Sequence, residues 1–169
     1  MVACLDSILR QSYTNWEVLA VDDHSSDNSR AILSNYTYSD SRIHLKTNMG
    51  SGIIWALRTA LEMSKGTMIT RMDSDDIMLP DKLYYLAKPL AFKGRGHIAI
   101  GGVKYFSEFG ISNGYERYEN WLNKLTAKGT NYSELYKECV VPSPAWLVYR
   151  EDLDASGGLR HTKCNLWIW

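Results

Sequence analysis

Apolar residues recur along this chain with two periods. In "MVACLDSILRQ", Met1 to Gln11, the residues Val2, Leu5, Ile8 and Leu9 fall on one helical face, so the spacing predicts a helix from the start. "WEVLAVDD", Trp16 to Asp23, is a compact, mostly apolar run ending in carboxylates, the pattern of a buried parallel strand. Asp27 is placed to cap a helix through Tyr36. "RIHLKTN", Arg42 to Asn48, reads as a second strand, and "GSGIIWALRTALEMSKG" as a helix with Ile53, Ile54, Leu57, Ala60 and Leu61 toward a core. Lys65 and Gly66 are expected to close that helix, a basic residue before a left-handed glycine. "TMITRM", Thr67 to Met72, predicts a third strand, and Pro80 opens a further helix through Phe92.

Strands alternating with helices over this stretch predict an α/β fold, a mostly parallel sheet with helices on both faces. Composition agrees: 169 residues, 45% hydrophobic and 22% charged, suit one globular domain with a sizeable core. Nineteen basic and nineteen acidic residues cancel, so no global field draws the chain to nucleic acid or to an anionic membrane. Cys4, Cys139 and Cys164 are widely spaced and odd in number, which fits neither a disulfide framework nor a zinc site. A reducing, cytoplasmic setting is the expectation. No window approaches the roughly eighteen apolar residues of a membrane span, and no signal-peptide pattern opens the sequence.

The candidate chemistry lies in carboxylates. "RMDSDDIMLPDKL" crowds Asp73, Asp75 and Asp76 directly after a predicted strand, and Asp22 and Asp23 end an earlier one. Adjacent carboxylates raise one another's pKa, and a site that keeps them ionised offsets the repulsion with a cation. A solvated turn or a helix cap is the plainer account, and it covers Asp27 and Asp76. In open α/β sheets, however, ligands gather outside the carboxyl ends of the strands, where all five aspartates fall. Their coincidence predicts a site for a divalent cation and the polyanion it neutralises.

These residues resemble the inverting family-two glycosyltransferases of GT-A fold. "SILRQSYTNWEVLAVDDHSSDNS" resembles that family's helix, its Q-x-Y-x-N turn, a strand and its V-D-D-G-S-x-D loop. "NMGSGIIWALRTALEMSKGTMITRMDSDDIMLPDKL" resembles the next helix, strand and D-x-D segment. "RYENWLNKL" and "VPSPAWLVYREDLDASGGL" resemble the acceptor side of one branch. The resemblance implies a single partial GT-A domain over 1–169, with a nucleotide-sugar-binding half at 1–95 and an acceptor-side half at 96–169. It implies transfer of a sugar from a nucleotide-diphosphate sugar, UDP-linked, to a hydroxyl of a sugar or glycan acceptor, as in polysaccharide biosynthesis. Asp23 would hydrogen-bond the nucleobase with Asp22 supporting its loop. Asn48 and Gly50 would lie against the nucleotide. Asp75 would hold Mg²⁺ or Mn²⁺ on the diphosphate, and Asp73 would contact the ribose or the metal's water shell. Arg58 would face phosphate, and Trp121 and Trp146 an acceptor sugar, although an exposed arginine and core tryptophans are equally ordinary roles.

Two departures accompany the resemblance. The family begins with an apolar strand, whereas this sequence begins in the helix that follows it, so the expected sheet has its first strand missing. Inverting transfer also needs a general base. The family carries it in an E-D-Y-D-L-W type segment, where this chain reads "TKCNLW" and puts Lys163 at the aspartate's place. An ammonium accepts no proton unless burial depresses its pKa; His161 is the nearby substitute. Two alternatives stand beside the transferase: a non-catalytic nucleotide-binding fragment, which Lys163 favours, and a phosphorelay receiver domain with an Mg²⁺-binding acidic pocket. A receiver would open on the strand carrying its acidic pair and would end a late strand at its lysine-proline pair, here Lys88-Pro89.

Overall fold

The computed structural model describes residues 1–158. Its first helix, α1 (Val2–Leu9), buries Cys4, Leu5 and Ile8, whereas Val2 and Leu9, the other two residues of the predicted apolar face, are exposed. Cys4 and Ile8 join Met78 and Leu83 in one core cluster, with Trp16, Val18 and Met72 packed against it. Each fully buried aliphatic side chain there contributes roughly 1.5–3 kcal/mol. Gln11, just after α1, is buried and bonded throughout: Nε2 donates to Leu79 O at 2.7 Å and to Ser7 O at 3.2 Å, while Oε1 accepts from Leu83 N at 3.0 Å. The two chain segments around the acidic stretch 73–76 are thereby fastened together.

Strand β1 (Val18–Asp22) pairs in parallel with β2 (Ile43–Thr47), Val18 opposite Ile43 and Asp22 opposite Thr47. Helix α2 (Ser29–Ser39) is the crossover that a parallel pair requires. Asp27, expected to cap this helix, lies one residue ahead of the N-cap Asn28, which makes no side-chain capping bond; its Oδ1 accepts from Ser29 N at 2.9 Å. Helix α3 (Ile53–Met63) packs on β1, but Ile53 is exposed and only Thr59 is buried, so the predicted apolar face is only half covered.

A second sheet has the order β3-β5-β4, from Met68–Ile69, Trp146–Tyr149 and Ile98–Ile100 respectively, and its pairings are antiparallel. Among the described residues, parallel pairing, expected throughout most of the sheet, is confined to β1 and β2; the late strand β5 enters between two earlier ones in the opposite direction, which no helical crossover is needed to achieve. Helix α4 (Lys82–Lys93) covers this sheet through Leu86 and Leu90 on Leu147. Lys88 and Pro89 stand inside α4 and not at a strand end, which removes the receiver's lysine-proline feature. Helices α5 (Asn113–Lys128) and α6 (Arg150–Ala155) complete the described chain. Among the described residues, no helix is long and apolar enough to cross a membrane.

Two expected elements differ locally. Strand β3 spans Met68–Ile69 and not Thr67 to Met72, because the Thr70 hydroxyl donates to Trp146 O and Arg71 turns to Asp73, so side chains replace the ladder. Helix α3 ends at Met63, with Ser64 extended, and Gly66 is not left-handed. Its terminus is satisfied from elsewhere: Glu17 Oε1 accepts from the amides of Lys65 and Gly66 at 2.5 and 2.7 Å, and the Arg150 guanidinium donates to the carbonyls of Leu61, Ser64 and Gly66 at 3.3, 2.9 and 3.0 Å. These partners leave a left-handed cap nothing to do.

Candidate functional site

Because β1 and β2 run parallel, their carboxyl ends emerge side by side, and Asn48 N donates to Asp22 O at 2.8 Å across them. Four predicted residues meet here. Asp22 is 5% exposed; its carboxylate accepts from Ser25 N and from Arg30 Nη1, both at 3.3 Å. Chiefly the Ser25 bond, aided by Arg30, holds this carboxyl below the usual range against the opposing effect of burial. Asp22 is therefore spent on shaping the loop. Asp23 is exposed, yet both its oxygens are fixed: Oδ1 accepts from Asn48 Nδ2 at 2.7 Å and Oδ2 from Gly52 N at 2.9 Å. Asn48, 2% exposed, also donates to Gly52 O at 3.3 Å and accepts from Gly50 N at 3.2 Å. The result is a carboxylate anchored from below with lone pairs left toward solvent, suited to accept an N–H from a heterocycle.

Gly50 is required by close approach: a Cβ at that position would lie 2.7 Å from Trp55 Cγ and Cδ2. Gly50 O faces His24 Nε2 at 3.0 Å. His24 sits at φ 61°, in the left-handed region, and the sequence reading passed over it. Its signal was present, since it stands where the V-D-D-G-S-x-D pattern has glycine.

The second predicted group is the turn 73–76. Asp73 Oδ1 accepts from Arg71 Nε at 3.0 Å and Nη2 at 2.7 Å, and Asp73 O accepts from Asp76 N at 3.2 Å. Asp75 is exposed. Burial, then the charges of Asp73 and Asp75, push the Asp76 carboxyl up. Negative charge thus accumulates at this turn beyond what Arg71 neutralises. Among the described residues, no three His, Cys, Asp or Glu side chains stand together as a metal-holding group. Two carboxylates with hard oxygens nevertheless fit Mg²⁺ or Mn²⁺, which commonly take one or two protein carboxylates and complete their shell with phosphate and water. Asp75 offers both oxygens and Asp73 its second.

Lys82 is a further residue that the sequence reading missed. On the first turn of α4 it shares the i, i+4 face with buried Leu86. Burial draws its ammonium down to about 8, opposed by Asp76 and Cys4. Nζ donates to Pro144 O and lies 4.0 Å from Met72 Sδ, so it ties the acidic turn's surroundings to the turn before β5. Arg58 is half-buried on α3, its guanidinium 5.7 Å from the Trp55 ring centre. Trp121 stacks on Tyr118 at 5.6 Å, and Trp146 opens β5, where its carbonyl takes the Thr70 hydroxyl. His161 and Lys163 lie outside the described residues.

Comparison with known proteins bears on all of this. A family model described as Glycosyl transferase family 2 matches residues 1–157. The chain is 46% identical over 82 residues to UDP-Glc:alpha-D-GlcNAc-diphosphoundecaprenol beta-1,3-glucosyltransferase WfgD of Escherichia coli, covering 48% of this chain and 32% of that protein. It is 37% identical over 99 residues to the putative teichuronic acid biosynthesis glycosyltransferase TuaG of Bacillus subtilis, covering 54% and 38%. It is 35% identical over 112 residues to the putative glycosyltransferase EpsE of Bacillus subtilis, covering 63% and 39%. The chain therefore spans between 32% and 39% of the length of these relatives. A match running from residue 1 to residue 157 makes this chain a member of glycosyl transferase family 2, and its helices and parallel β1–β2 pair are consistent with that family's GT-A, Rossmann-like α/β fold.

Proposed function

We propose that this chain is a partial GT-A domain of a cytoplasmic enzyme that transfers a sugar from a UDP-linked donor to a hydroxyl of a glycan acceptor, with inversion, in polysaccharide biosynthesis. The observation that carries the proposal is Asp23, exposed yet locked by Asn48 and Gly52 at the carboxyl end of β1. The UDP-Glc in the name of the Escherichia coli relative supports a UDP donor. In this reading Asp23 accepts an N–H of the base, Asp22 holds the loop, and the Asn48–Gly50 segment lies along the nucleotide. Asp75 holds the divalent ion, Mg²⁺ or Mn²⁺, with Asp73 on the ribose or the ion's water. When bound, that ion offsets the charge that builds on the departing nucleoside diphosphate. The division of the chain, 1–95 for the donor and 96–169 for the acceptor, belongs to the same proposal.

Titration with UDP in the presence and absence of Mn²⁺ tests it. Binding should require the metal and should be lost in Asp75→Ala; equal affinity in that variant removes Asp75 from the site. The second reading, a nucleotide binder without turnover, is favoured by Lys163 at the position of the base. It predicts Mn²⁺-dependent UDP binding with negligible transfer from UDP-sugars, and a gain of turnover in Lys163→Asp where the remaining site is intact.

A further inference from the structure

A concavity lies away from the carboxyl ends of β1 and β2. Between the segment 104–111 and the amino-terminal half of α5 lies a groove of about 410 Å³, within the roughly 300–1,000 Å³ range of small-molecule sites. Its walls combine the rings of Tyr105 and Phe106 with Lys104, Ser107, Glu116 and Asn120. Phe106 is 61% exposed. A single exposed ring is ordinary and carries nothing by itself. The conjunction is what matters: flat rings, a carboxylate, an amide, a hydroxyl and an ammonium surround one space.

The groove is also built on a fixed frame. Glu119 Oε2 accepts from Tyr105 N at 2.7 Å, and Asn123, one helical turn on, accepts from Val103 N at 2.9 Å and donates to Val103 O at 2.7 Å. One face of α5 therefore clamps the extended segment that presents the rings. Behind it, Tyr105 packs on Tyr115 and Tyr118 at 5.6 and 6.2 Å between ring centres, Tyr118 packs on Trp121, and the Tyr118 hydroxyl donates to Cys139 O at 3.0 Å. The carboxylates of Glu116 and Glu119 outnumber the one ammonium of Lys104, so the groove repels phosphate, uronate and nucleotide. A neutral pyranose meets these requirements: its apolar C–H face stacks on a ring, and its hydroxyls both donate to carboxylates and accept from an amide or ammonium.

We infer that this groove is a saccharide subsite, holding a neutral pyranose unit of the acceptor apart from the hydroxyl that is glycosylated. The inference rests on the transferase reading for the word acceptor, although binding of sugar to the groove does not.

The test is saturation-transfer NMR on the full 169-residue chain without nucleotide or metal, using cellobiose, maltose, lactose and chitobiose in turn. At least one disaccharide should receive saturation, strongest on ring C–H protons, and the effect should fall fivefold or more in Phe106→Ala and in Glu116→Gln. Phe106 is exposed, so its truncation does not threaten the fold. Silence from all four sugars, or a signal that survives both substitutions, overturns the inference. Sedimentation with phosphatidylglycerol vesicles that depends on Phe106, without any sugar signal, overturns it in favour of a membrane surface. Asp75→Ala separates the two claims: if it abolishes UDP binding and keeps the sugar signal, both stand, and if UDP never binds while sugar does, only the donor reading fails.

Discussion

The side-chain amide of Asn48 donates to Asp23 Oδ1 at 2.7 Å, and this contact joins the loop after β2 to the loop after β1. Asn48 is buried while Asp23 is exposed, so the asparagine sets the position of a carboxylate that solvent and ligand can reach. Removing a buried donor and acceptor costs about 1–3 kcal/mol. Asn48→Ala is therefore expected to lower the thermal midpoint and to weaken UDP binding about tenfold, equivalent to about 1.4 kcal/mol. Asn48→Asp should be worse, because it sets a second carboxylate against Asp23. Calorimetric titration and thermal denaturation of both variants check the order.

Gly50 and Trp55 form a coupled pair. The Cβ of Gly50→Ala would fall 2.7 Å from two ring atoms near the root of the Trp55 side chain, so the ring has to leave its rotamer. That displaces the ring beside Arg58 and disturbs the segment holding Asn48. Gly50→Ala should weaken UDP binding severalfold, and Gly50→Ala combined with Trp55→Ala should recover part of the loss. Simple additivity of the two substitutions would show that the close approach is unimportant.

Arg150 closes α3 from a distant part of the chain, donating to three carbonyls around the helix end. Arg150→Met keeps the bulk and removes the guanidinium from the Ser64 and Gly66 carbonyls, while Leu61 O still accepts from Ser64. The expected cost is about 3 kcal/mol, a fall in thermal midpoint on the order of 10 °C for a chain of this size. Arg150→Lys should rescue only part of it, because one ammonium cannot span three carbonyls as a guanidinium does.

Asp40 supplies the pH dependence that can be assigned to a single pair. Side-chain and backbone hydrogen bonds from Arg42 hold its carboxyl down at about 2. A depressed carboxyl stabilises the fold above its unfolded value, near 3.9, and this contribution is lost as pH falls from there through about 2. Arg42 is 35% exposed, so solvent screening limits the effect to about 1 kcal/mol. Acid unfolding of Asp40→Asn should show a correspondingly shallower loss of stability between pH 4 and pH 2. An unchanged acid limb would mean that other carboxylates govern it.

Much of this was legible along the chain. The compact run of β1 and the carboxylates that end it follow local rules of period and chain direction, so Asp22 and Asp23 could be placed at a strand end before any coordinates, and Asn48 joined them through the family resemblance. The division of labour among them could not. Asp22 and Asp23 are adjacent and chemically identical, and only the fold buries one against Ser25 and Arg30 and turns the other outward.

The same contrast runs through the rest of the molecule. Sequence by itself determined the alternation of strands and helices and the placement of Asp73 and Asp75 after a strand, because periodicity and capping act within a few residues. Tertiary structure decided that β5 enters antiparallel between β3 and β4, that Arg150 and Glu17 finish α3 where Gly66 was expected to, and that half-buried Lys82 donates to Pro144. Each of these joins residues dozens of positions apart. Such partners are chosen by which surfaces the packed core brings together, and no local pattern records that choice.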